Sequence, residues 1–67
     1  MIKVGDVLLY KEETLISDGT NWFKLDGYPG TAIVLAVKDD SYYCLLINDW
    51  YYVTHISAIK KFFTNVT

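Results

Sequence analysis

The sequence predicts an all-β fold, a small barrel of about five antiparallel strands with a long loop after the first strand. Two observations lead to this prediction. The apolar residues have no helical period, and they form short runs rich in Val, Ile, Leu and Tyr that turn residues interrupt. A chain of 67 residues is also too short for a second hydrophobic core, so we expect one domain over residues 1–67.

The apolar runs and the turns between them place the strands. The runs cover residues 2–10, 31–38, 41–47 and 50–56, and a short tail follows at 57–63. Asp39-Asp40 and Asn48-Asp49 separate the last three runs, and both pairs favour tight hairpins because Asp and Asn tolerate positive φ. These three runs are therefore predicted to form an antiparallel meander.

The segment 11–30 is long for a loop inside a compact domain, which indicates that it is functional or partly structured. Asp18-Gly19 and Asp26-Gly27 mark turns within it. Residues 21–25 lie between these turns and are compatible with a short strand of a hairpin-like excursion.

Two of the predicted strands are apolar on both faces. Along the second run, Ala32 and Val34 alternate with Ile33 and Leu35, and the third run repeats this pattern. A sheet with two apolar faces needs cover on both sides. A curled barrel covers one face with itself, and any part of the other face that stays exposed is expected to bind a partner.

Composition excludes several classes of function. Six Lys against eight acidic residues give a net charge of −2, which disfavours a general nucleic-acid binder. One Cys (Cys44) and one His (His55) cannot form a disulfide, a zinc site or a supported catalytic group. We therefore expect a protein that is not an enzyme and has no metal and no cofactor. No membrane-spanning run or secretion signal is evident, so a cytoplasmic location is expected.

Three segments of the sequence resemble SH3-like small barrels of the Tudor and PWWP type. Val4-Gly5-Asp6-Val7 resembles their first strand, and Gly27-Tyr28-Pro29 resembles the segment that gives PWWP domains their name. Residues 43–49, followed by Val53 and Ile59, resemble the two strands and short turn of Tudor domains. The resemblance implies an SH3-like barrel with a short helical turn before the last strand.

The residue usage also indicates a source. The chain contains no Arg and is rich in Lys, Ile and Tyr, which is typical of AT-rich genomes. This composition favours a bacteriophage or a low-GC bacterium, and a phage-encoded protein would act in the cytoplasm of its host.

Aromatic residues are the strongest functional signal, and they admit two interpretations. They can pack beneath the long loop, or they can form a surface that anchors a partner. In the fourth run, Trp50 and Tyr52 share one face while Tyr51 and Val53 share the other. If Val53 points inward, Trp50 and Tyr52 point outward. The predicted partner-binding residues are Trp22, Tyr28, Trp50 and Tyr52.

The function that these residues predict is a small protein–protein interaction module, such as a phage or bacterial factor that binds a host protein. Nucleic-acid binding by a Tudor-like barrel is the alternative, although the net charge disfavours it. Weak self-association through a sheet edge or through the aromatic residues is a third possibility.

Overall fold

The computed structural model describes residues 2–11, 14–17, 20–25 and 30–67. These residues form one antiparallel sheet that curls into a half-barrel, with one short helix, and the predicted all-β class is confirmed. The elements are β1 (Val7–Tyr10), β2 (Leu15–Ser17), β3 (Trp22–Lys24), β4 (Gly30–Lys38), β5 (Tyr42–Ile47), β6 (Trp50–His55), α1 (Ile56–Phe62) and β7 (Phe63–Asn65).

The strands lie in the order β3-β2-β6-β5-β4-β1-β7. The predicted meander is present as β4, β5 and β6, and the predicted short strand at 21–25 is β3, which pairs with β2. The segment between β1 and β4 thus carries a hairpin, and the tail carries a helix and an edge strand. The sheet consequently has seven strands among the described residues, two or more beyond the expected number.

Both predicted hairpins are confirmed, and each has its two turn residues at positive φ. The values are 55° for Asp39 and for Asp40, 51° for Asn48 and 65° for Asp49. Two consecutive positive φ angles match the right-handed twist of the flanking strands, and few residues other than Gly, Asn and Asp adopt them readily. The second hairpin fixes the register in which Leu45 lies opposite Tyr52.

The core lies on the concave face of the sheet, which we call the inner sheet face. Leu8, Val34 and Leu45 are buried there, and Ile59 of α1 packs into the same cluster. Tyr10 lies opposite Gly30, and a Cβ at position 30 would clash with the ring and the hydroxyl of Tyr10. Position 30 therefore accepts no side chain unless Tyr10 moves.

A buried carboxylate joins the beginning and the end of the described chain. Oδ2 of Asp6 accepts a hydrogen bond of 3.1 Å from the backbone N–H of Lys3 and one of 2.9 Å from Nδ2 of Asn65. Next to it, the N–H of Val7 donates to Oγ1 of Thr67 at 2.6 Å. Asp6 thus holds the turn before β1 against the edge strand β7.

The orientation expected for β6 is wrong. Val53 is 37% exposed and faces away from the core, whereas Tyr52 packs against the core and Thr54 is fully buried. The pairing explains this, because Tyr52 lies directly opposite the buried Leu45 and Thr54 opposite the buried Tyr43. Directly opposed residues share a face of the sheet, so Val53 is on the convex side.

Substitution of Asp49 is expected to change stability in two directions. Asp49→Gly removes the steric penalty of positive φ and should raise the free energy of unfolding by about 0.5 kcal/mol, whereas the β-branched Asp49→Val should lower it by about 1–2 kcal/mol. Urea denaturation measures both variants. Equal stability of the two would contradict the turn geometry.

Thr54→Val is expected to stabilise the protein. Among the described residues, Oγ1 of Thr54 is buried without a hydrogen-bond partner, and a buried unpaired hydroxyl costs about 1–3 kcal/mol. Val keeps the shape, so Tm should rise by about 4–8 °C for each kcal/mol gained.

The exposed Thr64→Val on β7 is the control for Thr54→Val, and its Tm should change little. A lower Tm for Thr54→Val would mean that the hydroxyl has a bound partner.

Candidate binding surface

On the convex side of the sheet, three of the cross-strand rows of directly paired residues cross β5, and together we call these three rows the outer sheet face. The central row spans five strands and consists of Ala36, Cys44, Val53, Ser17 and Trp22. The second row consists of Val7, Ile33, Leu46 and Tyr51. The third row consists of Lys38, Tyr42 and His55. Most of these side chains are apolar or aromatic.

A bulge in β4 allows these rows to form. The register shifts between Val34 and Ala36, so Leu35 is an extra residue in the ladder. Before the bulge the odd-numbered Ile33 faces outward, and after it the even-numbered Ala36 and Lys38 do so. A strand that alternates without a bulge could not supply both rows.

Aromatic side chains dominate the exposed part of the outer sheet face. Trp22 is 61% exposed, Tyr51 65% and Tyr42 51%, and Ile33 is also exposed. Cys44 and Leu46 are half-buried among them. Large apolar groups that lie together on a surface commonly mark a site of interaction.

Two shallow grooves lie beside Tyr42 and Val53, and each of these two residues lines both grooves. One groove, of about 300 Å³, is otherwise lined by Lys38, Asp39, Tyr43 and Cys44. The other, of about 240 Å³, extends to Trp22, Thr20 and His55. The surface therefore has a central ridge with a depression on each side, a relief that can accept protruding side chains.

His55 connects the outer sheet face to helix α1. Its Nδ1 accepts a hydrogen bond of 3.1 Å from the N–H of Ser57, which caps the first turn of the helix. On the sheet, its ring packs edge-to-face against Tyr42 at 5.1 Å between centroids. The N–H of Ile56 also donates to the carbonyl of Ser41 at 2.7 Å, which fixes the helix against the hairpin between β4 and β5.

Most of the charged residues lie around the outer sheet face rather than within it. Lys38 is the one Lys, Arg, Asp or Glu among the residues of the three rows. Lys24 lies on the edge strand β3, on the same side of the sheet as Trp22, and Asp39, Asp40 and Asp49 occupy the hairpin turns at the ends of the strands. Lys60 and Lys61 belong to the last turn of α1.

Of the residues predicted to bind a partner, the three that the structure describes do not come together. Trp22 is part of the outer sheet face, but Trp50 lies opposite the buried Ile47, so it belongs to the inner side of the sheet, at the rim, where it is 62% exposed. Tyr52 is half-buried and packs against the core. Tyr28 lies outside the described residues.

Of the residues in the three rows, Trp22 alone was among the predicted site residues, and the exposed Tyr42, Tyr51 and Val53 were not. The sequence did not reveal which face of β6 points toward the core. In the structure, the buried Thr54 opposite Tyr43 identifies the inner face of β6. From the sequence alone, a Thr within an apolar strand cannot be recognised as buried.

The described residues contain neither a helix able to cross a membrane nor a group of side chains able to hold a metal ion. In the part of the chain that the structure describes, no helix combines the length and the apolar character that crossing a membrane requires. Within residues 2–11, 14–17, 20–25 and 30–67, no three His, Cys, Asp or Glu side chains gather as they would around a metal ion.

The contribution of His55 as the N-cap of α1 can be tested separately from its position in the groove. His55→Ala removes the capping acceptor and should lower the free energy of unfolding by about 1 kcal/mol, whereas His55→Asn keeps an acceptor and should recover most of this loss. Thermal unfolding followed by circular dichroism compares the two. If both variants are equally destabilised, the hydrogen bond to Ser57 is not what His55 contributes.

Comparisons of this chain with protein-family models, with curated proteins and with solved structures return no match.

Proposed function

We propose that this protein is a non-enzymatic binding module that docks another protein on its outer sheet face. The observation that carries the proposal is the exposure of Trp22, Tyr42 and Tyr51 on one continuous apolar face. Trp and Tyr are the commonest energetic anchors of protein interfaces, because they bury a large area with few rotatable bonds.

The relief and the charge of this face support a protein partner. The two grooves beside Tyr42 and Val53 can receive side chains of a partner. The near absence of charge from the three rows fits the core of a protein interface, where charged residues are depleted. The acidic hairpin turns at Asp39-Asp40 and Asn48-Asp49 would form a polar rim.

The alternative, nucleic-acid binding, is supported by the same aromatic residues, since bases stack on exposed rings. It is opposed by the charge, because phosphate contacts require Lys or Arg and the three rows contain only Lys38. Nucleic-acid binding is therefore the second candidate function.

The SH3-like identity remains part of this proposal. A curled antiparallel sheet with a short helix before its last strand is compatible with that plan. The free thiol of Cys44 is likewise compatible with a reducing cytoplasm, and a phage or bacterial source stays a hypothesis from composition.

Two tryptophans provide a matched test of the docking face. Trp22 and Trp50 are equally exposed, at 61% and 62%, on opposite sides of the sheet. Trp22→Ala should weaken partner binding by about 10-fold or more, as loss of an interface anchor does, and Trp50→Ala should not. The measurement is quantitative mass spectrometry of proteins captured by each variant from an extract of the source organism or its host, after circular dichroism has verified folding.

The outcomes of this experiment separate the alternatives. Binding that is lost with Trp50→Ala and kept with Trp22→Ala would move the site to the rim at the second hairpin and contradict docking on the outer sheet face. Micromolar binding of single-stranded or double-stranded oligonucleotides that depends on Trp22, without a captured protein, would favour the nucleic-acid alternative.

A further inference from the structure

We propose that the partner that covers the outer sheet face is a second copy of this chain, so that two sheets stack face to face in a symmetric dimer. This inference rests on the proposed function, because it names the occupant of the same surface. It is carried by the apolar character of the face, by its size and by its place in the sheet.

The apolar character favours a permanent partner. Interfaces between proteins that associate and separate are about as apolar as the rest of a surface, whereas homodimer interfaces are more apolar. The central row has no charged residue across five strands, and the second row consists of Val7, Ile33, Leu46 and Tyr51. A second copy is present wherever the protein is made, so it can cover such a face at all times.

The size of the molecule fits a complete sheet-to-sheet contact. The chain measures 27 × 26 × 22 Å, so one side projects roughly 600–700 Å², close to the roughly 800 Å² that each partner buries in an interface of standard size. A stable dimer would need to bury most of one side of the molecule. The rows of the outer sheet face cover such an area, because they extend across six of the seven strands.

The position of Cys44 makes this arrangement testable. In the sheet order, β5 is the middle one of seven strands, and Cys44 lies in the central row of the outer sheet face. Packed sheets are about 10 Å apart. In a two-fold dimer centred on this row, the two Cys44 side chains lie near the symmetry axis.

Sedimentation equilibrium of the purified full chain over a wide concentration range tests the dimer. We expect the wild type to dimerise with a Kd in the micromolar range or below, and Tyr51→Lys to raise this Kd by about 30-fold or more because it places an ammonium group inside the contact. Trp50→Lys, which changes an equally exposed aromatic residue on the other side, should leave the Kd unchanged.

A short bismaleimide supplies an independent measurement. It should link two wild-type chains through Cys44 at concentrations at which the dimer forms, and linking should fall with Tyr51→Lys but not with Trp50→Lys. Circular dichroism and urea denaturation establish that both variants are folded. If Tyr51→Lys does not fold, Ile33→Lys at an exposed position of the same row replaces it.

Failure of this inference is distinct from failure of the proposed function. A wild-type chain that remains a monomer at about 1 mM, or a dimer that neither Tyr51→Lys nor Ile33→Lys weakens, overturns the second copy as the occupant. If such a monomer still captures a different protein through Trp22, docking on the outer sheet face stands. If it captures none through Trp22, both proposals are wrong.

Discussion

The curvature of a single small sheet is the constraint on which the rest of this structure depends. Nearly every strand is apolar on both sides, but a sheet that curls can enclose only its concave side. Leu8, Val34 and Leu45 fill that side, and Ile59 of the short helix completes the cluster. The convex side has no comparable cover among the described residues, so Tyr42 and Tyr51 stay exposed to solvent. The burial of one side and the exposure of apolar residues on the other are thus two results of one geometry.

The candidate surface is firmly attached to the core that lies beneath it. Tyr42 packs on His55, and the same imidazole caps the helix whose Ile59 is buried in the core. Tyr51 and Val53 alternate along β6 with Tyr52 and Thr54, which face inward. Side chains held in this way lose little conformational freedom when a partner binds, which favours affinity.

The sequence was sufficient to predict the meander, both hairpins and the strand within residues 21–25, because turn residues and β-rich runs are local signals. It was insufficient to predict which face of β6 is buried. A strand reveals its inner face when polar residues occupy the other one, and Trp50, Tyr51, Tyr52 and Val53 provide no such contrast. The bulge at Leu35 could not be predicted from the sequence either, because no Gly marks the place where the in–out alternation of β4 shifts. The predicted site was therefore divided between two faces.

The hydrogen bonds that join Asp6 to Asn65 and Val7 to Thr67 also bear on how the chain reaches its native state. Strand β1 is bordered by β4 on one side and by β7 on the other, so its second neighbour is synthesised more than fifty residues later. Such distant pairing slows folding, because a long stretch of chain must be ordered before the contact is gained. During translation, β1 can acquire its last partner only after residues 63–67 have left the ribosome.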